Sequence, residues 1–424
     1  MAIELSNLTF TEQDDIVPAF GVEQILNTGV ANTLAGNDSI TGRGGRFSFL
    51  NYGVLNTGDG DDILFGSRNL NEDPELGGAG FRTASGIIDT GNGNDIITGI
   101  ARRGAGIVVT SLAAITTGNG NDTITGTATN TGIRLDNGGT VDTGNGNDII
   151  TGTGFFGFEN SSTFNTGDGN DIITGTDTTG GGYGIYNHIE TNFSQDSTKN
   201  VTIDTGDGDD TIIGIGDIGI YNDGTIHTGN GEDSIISQGN FTNRGRVFLG
   251  DGNDLIAANT DIPGRTLENF HFIETGDGND TITSTGVIYN EGFINTGNGD
   301  DSIIVDGGVY NNGGSINTGG GNDSVIVNGG FVSDLNNSGS VFLGEGEDYI
   351  KGFGSGDFYG GNGNDTLELT PGSYTVGIWG SGGESATFTK GNQLMITSEF
   401  EKLKAGNTLY DFTSLTAGQI ITVA

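Results

Sequence analysis

Apolar side chains recur along this chain in short runs, each closed by a turn rich in Gly, Asn and Asp. The runs keep phase with one motif, Thr-Gly-(Asn/Asp)-Gly-(Asn/Asp)-Asp-x-Ile. Two residues before the motif Thr stand Leu55, Ile88, Val141, Phe164, Ile203, Ile226, Val247, Ile273, Ile294, Ile316 and Val341. Seven residues after it stand Leu64, Ile97, Ile124, Ile150, Ile173, Ile212, Ile235, Ile256, Ile282, Ile303, Val325, Ile350 and Leu367. A less regular column, eight residues before the Thr, includes Phe49, Leu135, Phe158, Ile220, Phe241, Leu267, Ile288 and Leu335. Short apolar runs bounded by turn residues predict three β-strands per repeat. Clear motif copies end in Asp62, Asp95, Asp122, Asp148, Asp171, Asp210, Asp233, Asp254, Asp280, Asp301, Asp323, Asp348 and Asp365, mostly about 21 to 27 residues apart. A degenerate copy ends in Asp38, with Ile25, Ala31 and Ile40 in the three apolar places.

One repeat cannot bury three apolar strips, whereas stacked repeats can. The pattern therefore predicts an all-β chain, a parallel β-helix or β-solenoid of about 14 coils. Residues 25–370 form the repeats, residues 1–24 an N-terminal cap with Phe10, Ile16, Val17 and Phe20, and residues 371–424 a C-terminal cap. Longer spacings before Asp95 and Asp210 mark insertions at Ser67–Ser85 and Thr176–Asn200. An asparagine column is expected six residues before the motif Thr: Asn27, Asn51, Asn137, Asn160, Asn222, Asn243, Asn269, Asn290, Asn312 and Asn337. Its residues are read as an amide ladder from coil to coil in preference to turn formers alone.

Composition sharpens this picture. Hydrophobic residues make up only 32%, which suits the narrow core of a solenoid. There are 55 acidic residues against 15 basic ones, a formal charge of −40. Such a surface repels phosphate backbones and anionic bilayers, so nucleic acid and membrane are excluded as partners. With no cysteine, cysteine usage does not identify the compartment. No stretch approaches the length of a membrane-spanning helix, and the first residues carry no Sec-type signal.

The turns explain the charge. Calcium takes six to eight oxygens from carboxylates and carbonyls. The motif supplies a carboxylate at each Asp, Asp38 included. Its glycines, expected to aim carbonyls inward, are Gly60, Gly93, Gly120, Gly146, Gly169, Gly208, Gly231, Gly252, Gly278, Gly299, Gly321, Gly346 and Gly363. Stacked strands lie about 4.8 Å apart, so an ion between layers meets oxygens of both. Left empty, neighbouring carboxylates repel by roughly 0.9 kcal/mol per pair even in water. Asp or Glu at variable motif positions, such as Asp59, Asp61, Asp209, Glu232, Asp251, Asp300, Glu345 and Glu347, adds to this. Folding and calcium binding are therefore expected to be coupled.

The copies Thr90–Gly99 and Thr143–Gly152, both Thr-Gly-Asn-Gly-Asn-Asp-Ile-Ile-Thr-Gly, resemble the RTX, or haemolysin-type, calcium-binding repeat. The likeness extends over about residues 27–369. It implies calcium bound in the turns, a parallel β-helix, and export by a type I system that reads an uncleaved C-terminal signal. Thr replaces the family's first Gly except at Gly360-Gly361, and one motif occurs per coil, so one calcium column is expected on a roughly three-sided helix. The run Phe400–Asp411 resembles a worn repeat at the end of such an array.

Catalytic constellations are missing from the sequence. His188, His227 and His271 belong to different coils and show no metalloprotease spacing. No Gly-x-Ser-x-Gly elbow occurs, and calcium accounts for the paired carboxylates that otherwise suggest a glycosidase. Arg102-Arg103 is the only adjacent basic pair of the early coils and reads as an exposed loop. The expected function is thus a secreted, extracellular calcium-binding structural or adhesive protein, not an enzyme. Its partners are calcium, copies of itself packed end to end or side by side, or a cell-surface polysaccharide. The alternative is a polysaccharide-active or carbohydrate-binding β-helix, with Tyr183, Tyr186, His188 and Phe193 as its contact region. An ice-binding surface is disfavoured: some calcium-bound RTX-like β-helices carry Thr between the two motif glycines, and here Asn92, Asn119, Asp168, Gly320 and Glu345 stand there.

Overall fold

The structure, a computed structural model, describes residues 2–17, 23–68, 78–189, 200–260, 264–332, 338–379 and 385–424. They fall into two compact units, residues 1–230 with 237–239, and residues 231–236 with 240–424. Each is a parallel β-solenoid, and together they hold about 13 turns.

A representative coil of the first unit contains the strands Ile96–Ile100, Gly104–Val109 and Ala114–Thr116. They pair in parallel with Thr123–Thr127, Thr131–Leu135 and Thr140–Asp142 of the next coil. The register places like on like. Ile97, Ile124, Ile150, Ile173 and Ile212 form one column. Ile107, Ile133, Phe158, Ile185 and Ile220 form the second. Ile115, Val141, Phe164, Ile203 and Ile226 form the third. All are buried, each contributing about 1.5–3 kcal/mol. The second unit repeats the scheme, with Ile256, Ile282, Ile303, Val325, Ile350 and Leu367 in its first column.

The second column corrects two expectations. Ile133, not Leu135, pairs with Phe158, and Leu135 pairs with Asn160. Leu135 therefore sits in the amide column and Asn137 lies outside it, because the loop Asp136–Gly139 is longer than the loops Tyr52–Gly53 and Ser161–Ser162 of coils that carry the Asn. Likewise Asn311, not Asn312, pairs with Asn290. The ladder itself is present. Asn27 Nδ2 donates to Asn51 Oδ1 at 2.8 Å, Asn160 to Asn187 at 2.8 Å, and Asn187 to Asn222 at 2.7 Å. In the second unit Asn243, Asn269, Asn290 and Asn311 are linked at 2.9 Å each. Thr83, Val109 and Leu135 interrupt it. Leu335 and Asn337 lie outside the described residues, as do Phe20 and Phe193.

At the start, Ala2–Glu4 and Ile16–Val17 add parallel strands to the first coil. Beyond residue 371 the pairing turns antiparallel, in Gly372–Ile378, Ala386–Lys390, Gln393–Ser398 and Ile420–Val423. Gln393–Ser398 and Lys402–Ala405 still add in parallel, to Gly356–Gly363 and Thr366–Leu369.

Candidate metal-binding corner

Each motif turn joins the third strand of one coil to the first strand of the next. At Gly91 and Gly93 the backbone has φ of 87° and 148°, a region open to glycine. A β-carbon on either would fall 1.9 Å from the carbonyl oxygen of Gly58 or Gly60 in the coil before. The glycine carbonyls thus lie between coils, along the stacking axis, instead of turning inward.

The Asp side chains do turn inward. Asp38, Asp62, Asp95, Asp122, Asp148, Asp171 and Asp210 are at most 1% exposed, and Asp233, Asp254, Asp280, Asp301, Asp323, Asp348 and Asp365 at most 2%. Within each unit the N–H of Asp38, Asp62, Asp95, Asp122, Asp148, Asp171, Asp233, Asp254, Asp280, Asp301, Asp323 and Asp348 donates to Oδ1 of the Asp one coil further on. The distances are 2.7 Å from Asp38 to Asp62, 2.8 Å from Asp95 to Asp122, and 2.8 Å from Asp280 to Asp301. Asp15 donates to Asp38 at 2.7 Å, and Glu401 accepts from Asp365 at 2.7 Å. Glu401 is the second residue of the run that resembles a worn repeat, so that run extends the ladder.

The second oxygen is the unsolved one. Oδ2 of Asp38, Asp62, Asp95, Asp122, Asp148, Asp171, Asp254, Asp301, Asp323, Asp348 and Asp365 is buried with no hydrogen-bond partner. The buried motif Thr lies beside it, but its hydroxyl has one proton. In most coils that proton reaches the Thr carbonyl of the next coil, as from Thr33 to Thr57 at 2.9 Å and Thr143 to Thr166 at 3.1 Å. At Thr275 the hydroxyl lies within reach of both Asp280 Oδ2 and the Thr296 carbonyl. Leu249, Leu343 and Gly360 replace Thr before Asp254, Asp348 and Asp365. Burial pushes these carboxyls up, with the hydrogen bonds opposing it. Asp62 and Asp365 rise to about 6, and Asp95, Asp148, Asp171, Asp254, Asp301 and Asp348 to about 7.

A second ladder, absent from the sequence reading, runs on the exposed side. The N–H of Asn94 donates to Asp61 Oδ1 at 2.7 Å, that of Asn121 to Asn94 at 2.9 Å, and that of Asn147 to Asn121 at 2.8 Å. It points opposite to the buried one. Apart from Asp209 and Glu232, which follow each other in successive copies, its acids are spaced by amides: Asp61 lies between Asn37 and Asn94, and Asp300 between Asn279 and Asn322. Repulsion there is weaker than a column of carboxylates implies.

The residues suit a hard divalent cation. What most coils leave over is oxygen: a buried, unpartnered Oδ2 such as that of Asp95 or Asp148, usually a Thr hydroxyl, and glycine carbonyls between layers, with no nitrogen or sulfur. That is calcium's donor class. Among the described residues no three of His, Cys, Asp or Glu gather at one point, so an ion here takes most ligands from the main chain. Of the histidines, His227 pairs with Asp204 at 3.1 Å, His188 stacks on Tyr186, and His271 is exposed.

Fold and corner together define a parallel β-solenoid with an internal aspartate ladder. No family model matches the chain, and no curated protein does. Among solved structures it is similar to a hyperactive, Ca2+-dependent, β-helical antifreeze protein from an Antarctic bacterium. Identity is 21% and the TM-score 0.39, over 81% of this chain and 84% of that one.

Proposed function

We propose that this is a secreted calcium-binding structural or adhesive protein, a component of a cell surface, sheath, filament or matrix that folds on calcium. The observation that supports it is the column of buried carboxylate oxygens with no donor, one in nearly every coil. At neutral pH such a column holds either protons or uncompensated charge, and a divalent ion relieves both. The Asp carboxylates, the Thr hydroxyls and the interlayer Gly carbonyls would hold it. Calcium would supply the counter-charge that −40 lacks. The reading has no catalytic step, since the three histidines lie in separate coils and the motif acids serve the ladders.

Calcium titration of chelator-stripped protein tests it, followed by circular dichroism and calorimetry at low salt and pH 8. Calcium is expected to restore the β spectrum and raise the melting temperature, with equimolar magnesium much less effective. Stripped protein that keeps both its spectrum and its melting point overturns the reading.

A further inference from the structure

The outward face of the second strand in the first unit differs from the rest of the surface. Seven of the chain's ten arginines fall between residues 43 and 134, and the register gathers some of them. The strands Phe47–Asn51, Gly78–Thr83, Gly104–Val109 and Thr131–Leu135 align Phe47, Ala79, Ala105 and Thr131 in one row. Leu50, Arg82, Val108 and Arg134 form the next. Between the rows runs a trough of about 230 Å³, floored by small apolar side chains and edged by Arg46, Arg82 and Arg134.

The arginines are placed, not merely present. The guanidinium carbons of Arg82 and Arg46 lie 4.8 and 5.3 Å from the Phe47 ring centre, a cation–π geometry that holds the arms against the trough. Arg134 is oriented by Asp136 at 2.7 Å. Among the described residues no carboxylate pairs with Arg82, and its buried Nε has no acceptor. In a chain with 55 acids, that nitrogen has been kept clear of the protein's own carboxylates.

The same two rows continue into rings. Thr131 pairs with Phe156 and Phe156 with Tyr183, while Arg134 leads through Glu159 and Tyr186 to Tyr221. Tyr183 and Tyr186 were expected in an insertion, but they belong to the regular strand Tyr183–Asn187. Phe156 and Tyr183 stack with centroids 5.5 Å apart and planes 8° from parallel, and Tyr186 lies 4.5 Å from Tyr183. All three are partly exposed. The core on the other side of this sheet is filled by Phe158, Ile185 and Ile220, so packing does not require these rings.

We infer that this strip of guanidinium groups and stacked rings binds an acidic polysaccharide laid along the solenoid axis. The C–H face of a pyranose matches an aromatic face, and a uronate carboxylate matches the planar guanidinium fork. Seven coils at about 4.8 Å give a strip of roughly 29 Å, long enough for several sugars. A polyuronate carries one charge per ring, whereas duplex DNA carries one per about 1.7 Å and is repelled more strongly by the rest of the chain. The strip lies away from the motif turns and is independent of the calcium reading.

Calorimetric titration of the full-length, calcium-loaded protein with oligogalacturonate tests this, with a cello-oligosaccharide as the neutral probe. Arg82→Gln and Tyr183→Ala are each expected to weaken oligogalacturonate binding at least tenfold. Their β spectrum and calcium response, measured separately, should match the parent, so failure of either idea can be told from failure of the other. If Tyr183→Ala perturbs the fold, Arg82→Gln decides. Absence of oligogalacturonate binding, or parental affinity in Arg82→Gln, overturns the proposal. So does Arg82-dependent dimerisation in sedimentation without glycan, which assigns the strip to a second copy.

Discussion

The N–H of Asp122 donates to Oδ1 of Asp148, 2.7 Å away and one coil on, while Oδ2 of Asp148 meets no donor. One oxygen thus fastens the coils together, and the other imposes a cost. The same carboxylate is needed for stacking and is uncomfortable once stacked. The proposal of cation binding at this corner rests on that division.

Asp148→Asn separates the two roles, because the amide keeps an Oδ1 acceptor and loses the charge. Metal-free stability at pH 8 is expected to rise by about 1–2 kcal/mol, since a buried unpaired charge is removed. Calcium stoichiometry should fall by one or two ions, read by calorimetry. A metal-free variant less stable than the parent contradicts this account.

Acidity should act in an unusual direction on metal-free protein. The carboxyls of Asp95, Asp148, Asp171 and Asp301 rise from 3.8 to about 7 in the fold. The folded state therefore binds protons more tightly than the unfolded one. Their contribution to stability is fully present below about pH 4, falls between pH 4 and 7, and is gone above. Without calcium the melting temperature should be higher at pH 5 than at pH 8, on the order of 10 °C. Saturating calcium should flatten or reverse that slope, which thermal melts across pH will show.

The amide ladder discriminates between adjacent asparagines. Asn311 is buried and accepts from Asn290 at 2.9 Å, whereas Asn312 is half-buried. Asn311→Ala leaves an amide of Asn290 without its acceptor and should cost about 2–3 kcal/mol. Asn312→Ala should stay within about 0.5 kcal/mol. Denaturant melts of the two variants check the register, and the reverse ranking would refute it.

Glycines in and out of the motif should differ as sharply. Gly93→Ala drives a β-carbon to 1.9 Å from the Gly60 carbonyl, so the coils must part; a loss above about 3 kcal/mol is expected. Gly180, with φ of 74° and open space around it, should lose only about 1 kcal/mol on the same change. Melting and limited proteolysis of both variants measure the contrast.

Much of this molecule is legible in one dimension. The spacing of the motif Asp residues yields the coil, and the apolar places two before and seven after the motif Thr fall in the buried columns. They do so because these positions are separated from the motif by turns of constant length, so counting along the chain equals counting around the coil. Where a loop changes length the equivalence fails. Asn137 and Asn312 lie at the expected distance from a Thr, yet Leu135 and Asn311 occupy the column, because interstrand hydrogen bonds decide which residue faces the core. Tyr183 and Tyr186 stand out in the sequence as a carbohydrate contact, but their alignment with Arg82 and Arg134 does not, for a related reason: the four are spread over a hundred residues and share two rows only when parallel register stacks them. The same holds for the Asp carboxylate. Its residue type and recurrence are written in the sequence, but which oxygen is satisfied and which is left bare depends on the coil above and the coil below.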